Sequence, residues 1–147
     1  MINKFEILNV LNDLLTKAKN MGADTADAVH IDSTSLAVAQ RLGNPEKLER
    51  SESADLGLRV FVGKGQAIVS SSDISSEALE GLVDRAVAMA SSVPEDPYCG
   101  LAEPDQLATN LVNVDSFDPE EPSAETLVDW ANRAEDAARA VKGITNS

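Results

Sequence analysis

Leu56-Gly57-Leu58-Arg59-Val60-Phe61-Val62-Gly63-Lys64-Gly65-Gln66-Ala67-Ile68-Val69-Ser70-Ser71 is the stretch that decides the fold. Leu58, Val60 and Val62 alternate with Arg59 and Phe61, the period of two that sends successive side chains to opposite faces of a strand. Gly63-Lys64-Gly65 reads as a turn, and the chain runs back through Ala67, Ile68 and Val69. So short a connection favours antiparallel pairing, because a parallel return needs a crossover of about a dozen residues or more.

Upstream the same period recurs. In 28–32, Val29 and Ile31 face one way while Ala28, His30 and Asp32 face the other. Leu36, Val38 and Leu42 continue the alternation to the breaker Gly43-Asn44-Pro45. The run Glu46 to Asp55 is so polar that it fits a strand only if half solvated, as at an edge. Ahead of these strands lies a helix, predicted over Lys4 to Met21. Asn3 and Glu6 have the spacing of a capping box, Ile2 and Ile7 that of a hydrophobic staple, and Leu8, Leu11, Leu15 and Ala18 recur at helical spacing. Gly22 supplies the stop.

Downstream, Ser75 is a good N-cap for a second helix with the apolar stripe Leu79, Leu82, Val83, Ala86, Ala90 and Val93, ended by Pro94 and Pro97. Tyr98 to Pro122 is a long, acidic, proline-punctuated connection in which Leu111, Val112 and Val114 suit one short strand. Ser123 caps a third helix carrying Leu127, Ala131, Ala134, Ala138 and Val141, and Gly143 stops it. Trp130 lies beside that stripe, placed for packing within the domain or for contact with further chain. The expected fold is α+β: a mostly antiparallel sheet of about four to five strands with three helices packed on it, residues 1–147 forming one domain. Ile144-Thr145-Asn146-Ser147 looks like the entry to another strand, so the chain is expected to be a fragment cut before a further domain.

Composition bounds the chemistry. The net charge of −13 repels nucleic-acid phosphates and anionic lipid, which argues against direct binding of DNA or membrane and leaves either a solvated acidic surface or one that attracts a basic partner. Cys99 is the only cysteine, so no internal disulfide can form, as suits a reducing cytosol. No apolar run approaches the roughly 18 residues of a spanning helix. His30 is the only histidine and sits in a predicted strand, where a structural role outweighs that of a catalytic base. One His and one Cys, distant in sequence, cannot assemble a zinc site, and no calcium-loop spacing occurs among the carboxylates. Gly57, Gly63 and Gly65 lie within and after a strand rather than before a helix, unlike a phosphate loop, and Ser70-Ser71-Ser72 has no partner base. No catalytic or metal-binding residue is therefore assigned. Arg41, Arg50 and Arg59 remain: either surface ion pairs with residues such as Glu46, Glu49 and Glu52, or anchors for a peptide carboxylate or partner domain. Arg50 and Arg59 are the candidates for substrate or partner binding.

The succession Glu49-Arg50-Ser51-Glu52, then Leu56 through Ala67, Ser70-Ser71-Ser72-Asp73, the helix 76–90, Pro94-Glu95-Asp96-Pro97-Tyr98 and the closing Gly143-Ile144-Thr145-Asn146-Ser147 resembles the TldD/PmbA family. The details resemble the PmbA branch, also called TldE, and the likeness runs over nearly all of the chain but about the first third of a family member. It implies a cytoplasmic two-domain protein of a peptidase family described as modulators of DNA gyrase. A TldD-type subunit would carry zinc through a His-Glu-x-x-x-His site in its carboxy-terminal domain. No position here matches those ligands, so no zinc is expected in this chain, and alone it is expected to be inactive. The implied role is a non-catalytic domain of a metallopeptidase complex, shaping the subunit interface or a cleft that admits unfolded peptides. Its partner would be a TldD-type paralogue or a second copy. The alternative is a free-standing acidic protein-binding or adaptor module.

Overall fold

The computed structural model describes residues 4–110 and 112–146. Its elements in chain order are α1 (Lys4–Asn20), β1 (Thr25–Arg41), β2 (Asn44–Val62), β3 (Gly65–Ser71), α2 (Ser76–Ala90), a single 3₁₀ turn (Pro104–Gln106) and α3 (Ala124–Arg139). Contacts group the chain into two units, Met1–Asp32 with Ser53–Thr109 and Ser33–Glu52 with Asn110–Ser147. The α+β class holds, but the sheet has three strands in the order β1-β2-β3, not four to five.

Two differences account for the count. The polar run Glu46 to Asp55 and the apolar run from Leu58 are one 19-residue strand, with Gly57 in line between them rather than a turn. The β3 pairing ends at Leu56↔Ser71, so the polar half of β2 runs past its last β3 partner, and its exposed side chains suit that half-solvated position. Val112 and Val114 form no strand and are exposed, while Leu111, Asn3, Ile2 and Ser147 lie outside the described residues.

In the first unit the expected hairpin sets the core. β2 and β3 pair antiparallel, with Leu58 opposite Val69 and Val60 opposite Ala67. Gly63 at φ +58° is the first central residue of the two-residue turn, the place where a type II′ turn needs positive φ. Leu56, Leu58 and Val60 on β2 and Ala67 and Val69 on β3 meet Leu14 and Ala18 of α1 and Leu79, Leu82, Val83, Ala86 and Ala90 of α2. Burying each of the large ones contributes about 1.5–3 kcal/mol of transfer free energy. α1 ends in a Schellman arrangement, Ala23 N–H donating to Ala18 C=O and Gly22 N–H to Lys19 C=O, with Gly22 at φ +107°. Ser75 caps α2, its hydroxyl accepting from the Ala78 amide. That helix stops at Ala90, ahead of Pro94, where the Ser91 and Ser92 hydroxyls donate to the carbonyls of Val87 and Ala88.

The second unit is built on the tip of the β1–β2 hairpin and on α3. Leu42 and Gly43 form a two-residue turn with φ of +50° and +78°, positive at both positions as in type I′. Ser123 caps α3 by accepting the Thr126 amide. The packed side of α3 differs from the expected stripe: Leu127 and Ala131 are half-buried, but Ala134, Ala138 and Val141 are exposed. The buried residue is Glu135, 7% exposed, whose carboxylate accepts the Gly43 amide at 3.0 Å. Alanines offer too little area to set the helix phase against a charge-assisted hydrogen bond worth about 1.5–3 kcal/mol.

Candidate binding face on the sheet

The first unit carries its helices on one side of the sheet, and the other side is the candidate site. Strand alternation places Asp27, Val29 and Ile31 of β1, Gly57, Arg59 and Phe61 of β2, and Gln66 and Ile68 of β3 on this outer face. Val29, Ile31 and Ile68 are 52%, 56% and 63% exposed, high for β-branched apolar residues. The division of β1 into Val29 and Ile31 against Ala28, His30 and Asp32 holds. Yet the apolar pair faces outward, and Ala26 and Ala28 pack against the core. Asp27, Ala28, Val29, Gly57, Leu58, Arg59 and Ile68 line a depression of about 280 Å³. Gly57 keeps it shallow-walled: a Cβ there would stand 3.3 Å from Val29 Cγ1.

One ion pair crosses this surface. Arg59 Nε donates to Asp27 Oδ1 at 2.8 Å and its terminal nitrogen donates to Asp27 Oδ2, a two-pronged contact. The Asp27 hydrogen bond raises the Arg59 pKa above its ordinary value, fixing the guanidinium as a cation. The guanidinium lies 5.4 Å from the centroid of the Phe61 ring, within cation–π range. At the turn end of the face, Asp24 accepts the Gly63 amide at 2.7 Å, and Lys64 donates to the Cys99 carbonyl at 3.2 Å. Cys99 Sγ stands 3.5 Å from Gln66 Oε1. The result is a shallow apolar surface whose cation is already neutralised.

Of the two sequence candidates, Arg59 belongs to this face, and the edge it would offer a carboxylate is occupied by Asp27. Arg50 lies in the second unit on the polar half of β2, where it donates to Glu52 from Nε at 3.0 Å and from its terminal nitrogen at 2.9 Å, both side chains exposed. Arg41 stands 3.6 Å from Glu46 and donates to Asn146. His30 is nearly buried on the core side of β1, its Nδ1 3.8 Å from Asp32 Oδ2. Among the described residues no three His, Cys, Asp or Glu side chains come together in an arrangement that could hold a metal ion. Reading the sequence alone missed Asp27 and Asp24, whose only signal was a carboxylate at the start of a strand; their partners depend on the strand register.

The profile described as PmbA/TldA metallopeptidase domain 1 matches residues 26–90, from the start of β1 to the end of α2. The chain carries the amino-terminal domain of the TldD/PmbA family. Metalloprotease PmbA of Escherichia coli O157:H7 is 30% identical over 142 residues, covering 94% of this chain and 32% of that protein. The PmbA homolog of Haemophilus influenzae is 31% identical over 136 residues, covering 92% of this chain and 29% of its own length. The chain thus spans about a third of the length of these curated relatives. The fold of this TldD/PmbA domain is similar to that of a protein from Bacteroides thetaiotaomicron described as a candidate modulator of DNA gyrase, with TM-score 0.71 and 16% identity over 97% of this chain and 32% of that one. It is also similar to TldE of Thermococcus kodakarensis, with TM-score 0.64 and 20% identity over 89% of this chain and 29% of that one. No helix among the described residues is long and apolar enough to cross a membrane.

Proposed function

We propose that residues 1–147 act as a non-catalytic domain of a TldD/PmbA-type metallopeptidase complex, forming the wall of a cleft or subunit interface that admits unfolded peptides. The observation that carries this reading is the open sheet face: three exposed β-branched residues around a self-neutralised Arg59–Asp27 pair. Such a face gains by burial against a partner at about 25 cal/mol per Å² of apolar surface, with no unpaired charge to desolvate at its centre. β1 and β3 are the outer strands of the sheet. An outer strand can hold an extended peptide through backbone hydrogen bonds.

In this reading the partner is a TldD-type paralogue or a second copy, and the zinc belongs to the TldD-type subunit. A link to gyrase runs through peptide processing, because a surface of net charge −13 disfavours DNA. Arg50 and Arg59 contribute to partner contact, Arg59 through the open face it shares with Val29 and Ile68. Co-purification of the complete protein with candidate paralogues, followed by metal analysis, tests the assignment. The expected result is a stable complex in which zinc tracks the paralogue. Zinc bound stoichiometrically by this protein alone, or no complex with any paralogue, contradicts it.

A further inference from the structure

Trp130 stands on the second unit's helix α3 with 53% of its surface exposed. It shares a cavity of about 480 Å³ with Pro122, Ser123 and Thr126, walled by Asp118, Glu120 and Glu121. Acidic residues before a helix often serve its N-terminus, but here that work is done by others. Ser123 accepts the Thr126 amide, and the Glu125 carboxylate, held below its usual pKa, takes its own amide and the Ser123 hydroxyl. Asp118 accepts the Glu120 amide at 3.0 Å, and none of the three wall carboxylates forms an ion pair among the described residues. From residue 86 to residue 132 the sequence has ten Asp and Glu and no Lys, Arg or His, and Arg133, one helical turn on from Trp130, is turned to Asp129 at 3.8 Å.

We propose that this cavity docks a basic segment of another polypeptide, one arginine or lysine lying on the Trp130 ring with its charge met by Asp118, Glu120 and Glu121. Tryptophan is the best aromatic partner for a cation. A neutral apolar occupant would strip water from three carboxylates and return nothing, and an anion would be repelled. The inference does not depend on the peptidase reading and stands or falls by itself.

Trp130 is the only tryptophan, so its fluorescence reports on this cavity alone. The test titrates the chain with a Gly/Ser peptide of about a dozen residues bearing arginines, and with the same peptide carrying glutamine in their place. The expected result is a saturable change in Trp130 emission with the arginine peptide that weakens as salt rises. Glu120→Gln with Glu121→Gln should weaken binding about twofold to thirtyfold, the span of two exposed ion pairs. Asp118 is left in place because it holds the turn. Trp130→Phe, followed by calorimetry, should bind more weakly than the parent. Equal binding of the glutamine peptide, no saturable change with the arginine peptide, or undiminished affinity in the double variant with unchanged circular dichroism would overturn the proposal.

Discussion

Leu42 adopts φ +50° at the tip of the β1–β2 hairpin, a left-handed conformation that costs an ordinary L-residue roughly 1–2 kcal/mol. Its side chain is 45% exposed, so burial offsets only part of that strain. Leu42→Asn would create Asn-Gly, the preferred pair for a type I′ turn, and should raise stability by about 0.5–1 kcal/mol in urea unfolding; a lowered midpoint would contradict the turn geometry. Asp73 acts at the entry to α2, where its carboxylate accepts the Ser75 amide at 2.8 Å. The Ser75 hydrogen bonds hold its pKa below the ordinary 3.8. A carboxylate depressed in the folded state stabilises above the unfolded pKa and loses that contribution as pH falls through the folded one. The melting temperature of Asp73→Ala should therefore fall short of the parent at pH 7, with the gap closing below about pH 4; a gap that persists in acid would contradict this role. The caps Ser75 and Ser123 were legible in the sequence because a cap and its amide lie three residues apart. Asp27 and Arg59 are 32 residues apart, and only the register brings them together.

At the scale of elements, β3 and α2 approach so closely that a side chain at Gly65 has no room. A Cβ there would stand 2.1 Å from the Ala90 carbonyl oxygen, backbone that cannot rotate away. Gly65→Ala should destabilise the first unit by about 1–3 kcal/mol or more, read by denaturant midpoint, whereas a neutral effect would show that the helix end is free to shift. The hairpin 56–71 and the three helices were readable from period and punctuation, since those signals are local. The strand count was not, because a change from polar to apolar composition within β2 imitates a boundary when its partners are unknown. The phase of α3 failed for a related reason. Its alanine stripe carries little burial energy, and the deciding contact, Glu135 to Gly43, spans 92 residues. The exposed side of β1 was also hidden: alternation shows two faces but not which one the helices cover.

For the molecule as a whole, the proposed function divides the labour, so that this TldD/PmbA domain would bind and a partner would cleave. The candidate residues Arg50 and Arg59 were visible as scarce cations in an acidic chain, but their carboxylate partners, Glu52 nearby and Asp27 far off, are what determine how much of each is left for a ligand. The direct measurement is peptide hydrolysis by a TldD-type zinc subunit, alone and with the complete protein that contains this domain, parent against Val29→Asp with Ile68→Asp on the open face. The expected result is little cleavage by the zinc subunit alone, restoration by the parent and failure of restoration by the variant with its fold intact. Equal cleavage by the zinc subunit in the absence of its partner would contradict it.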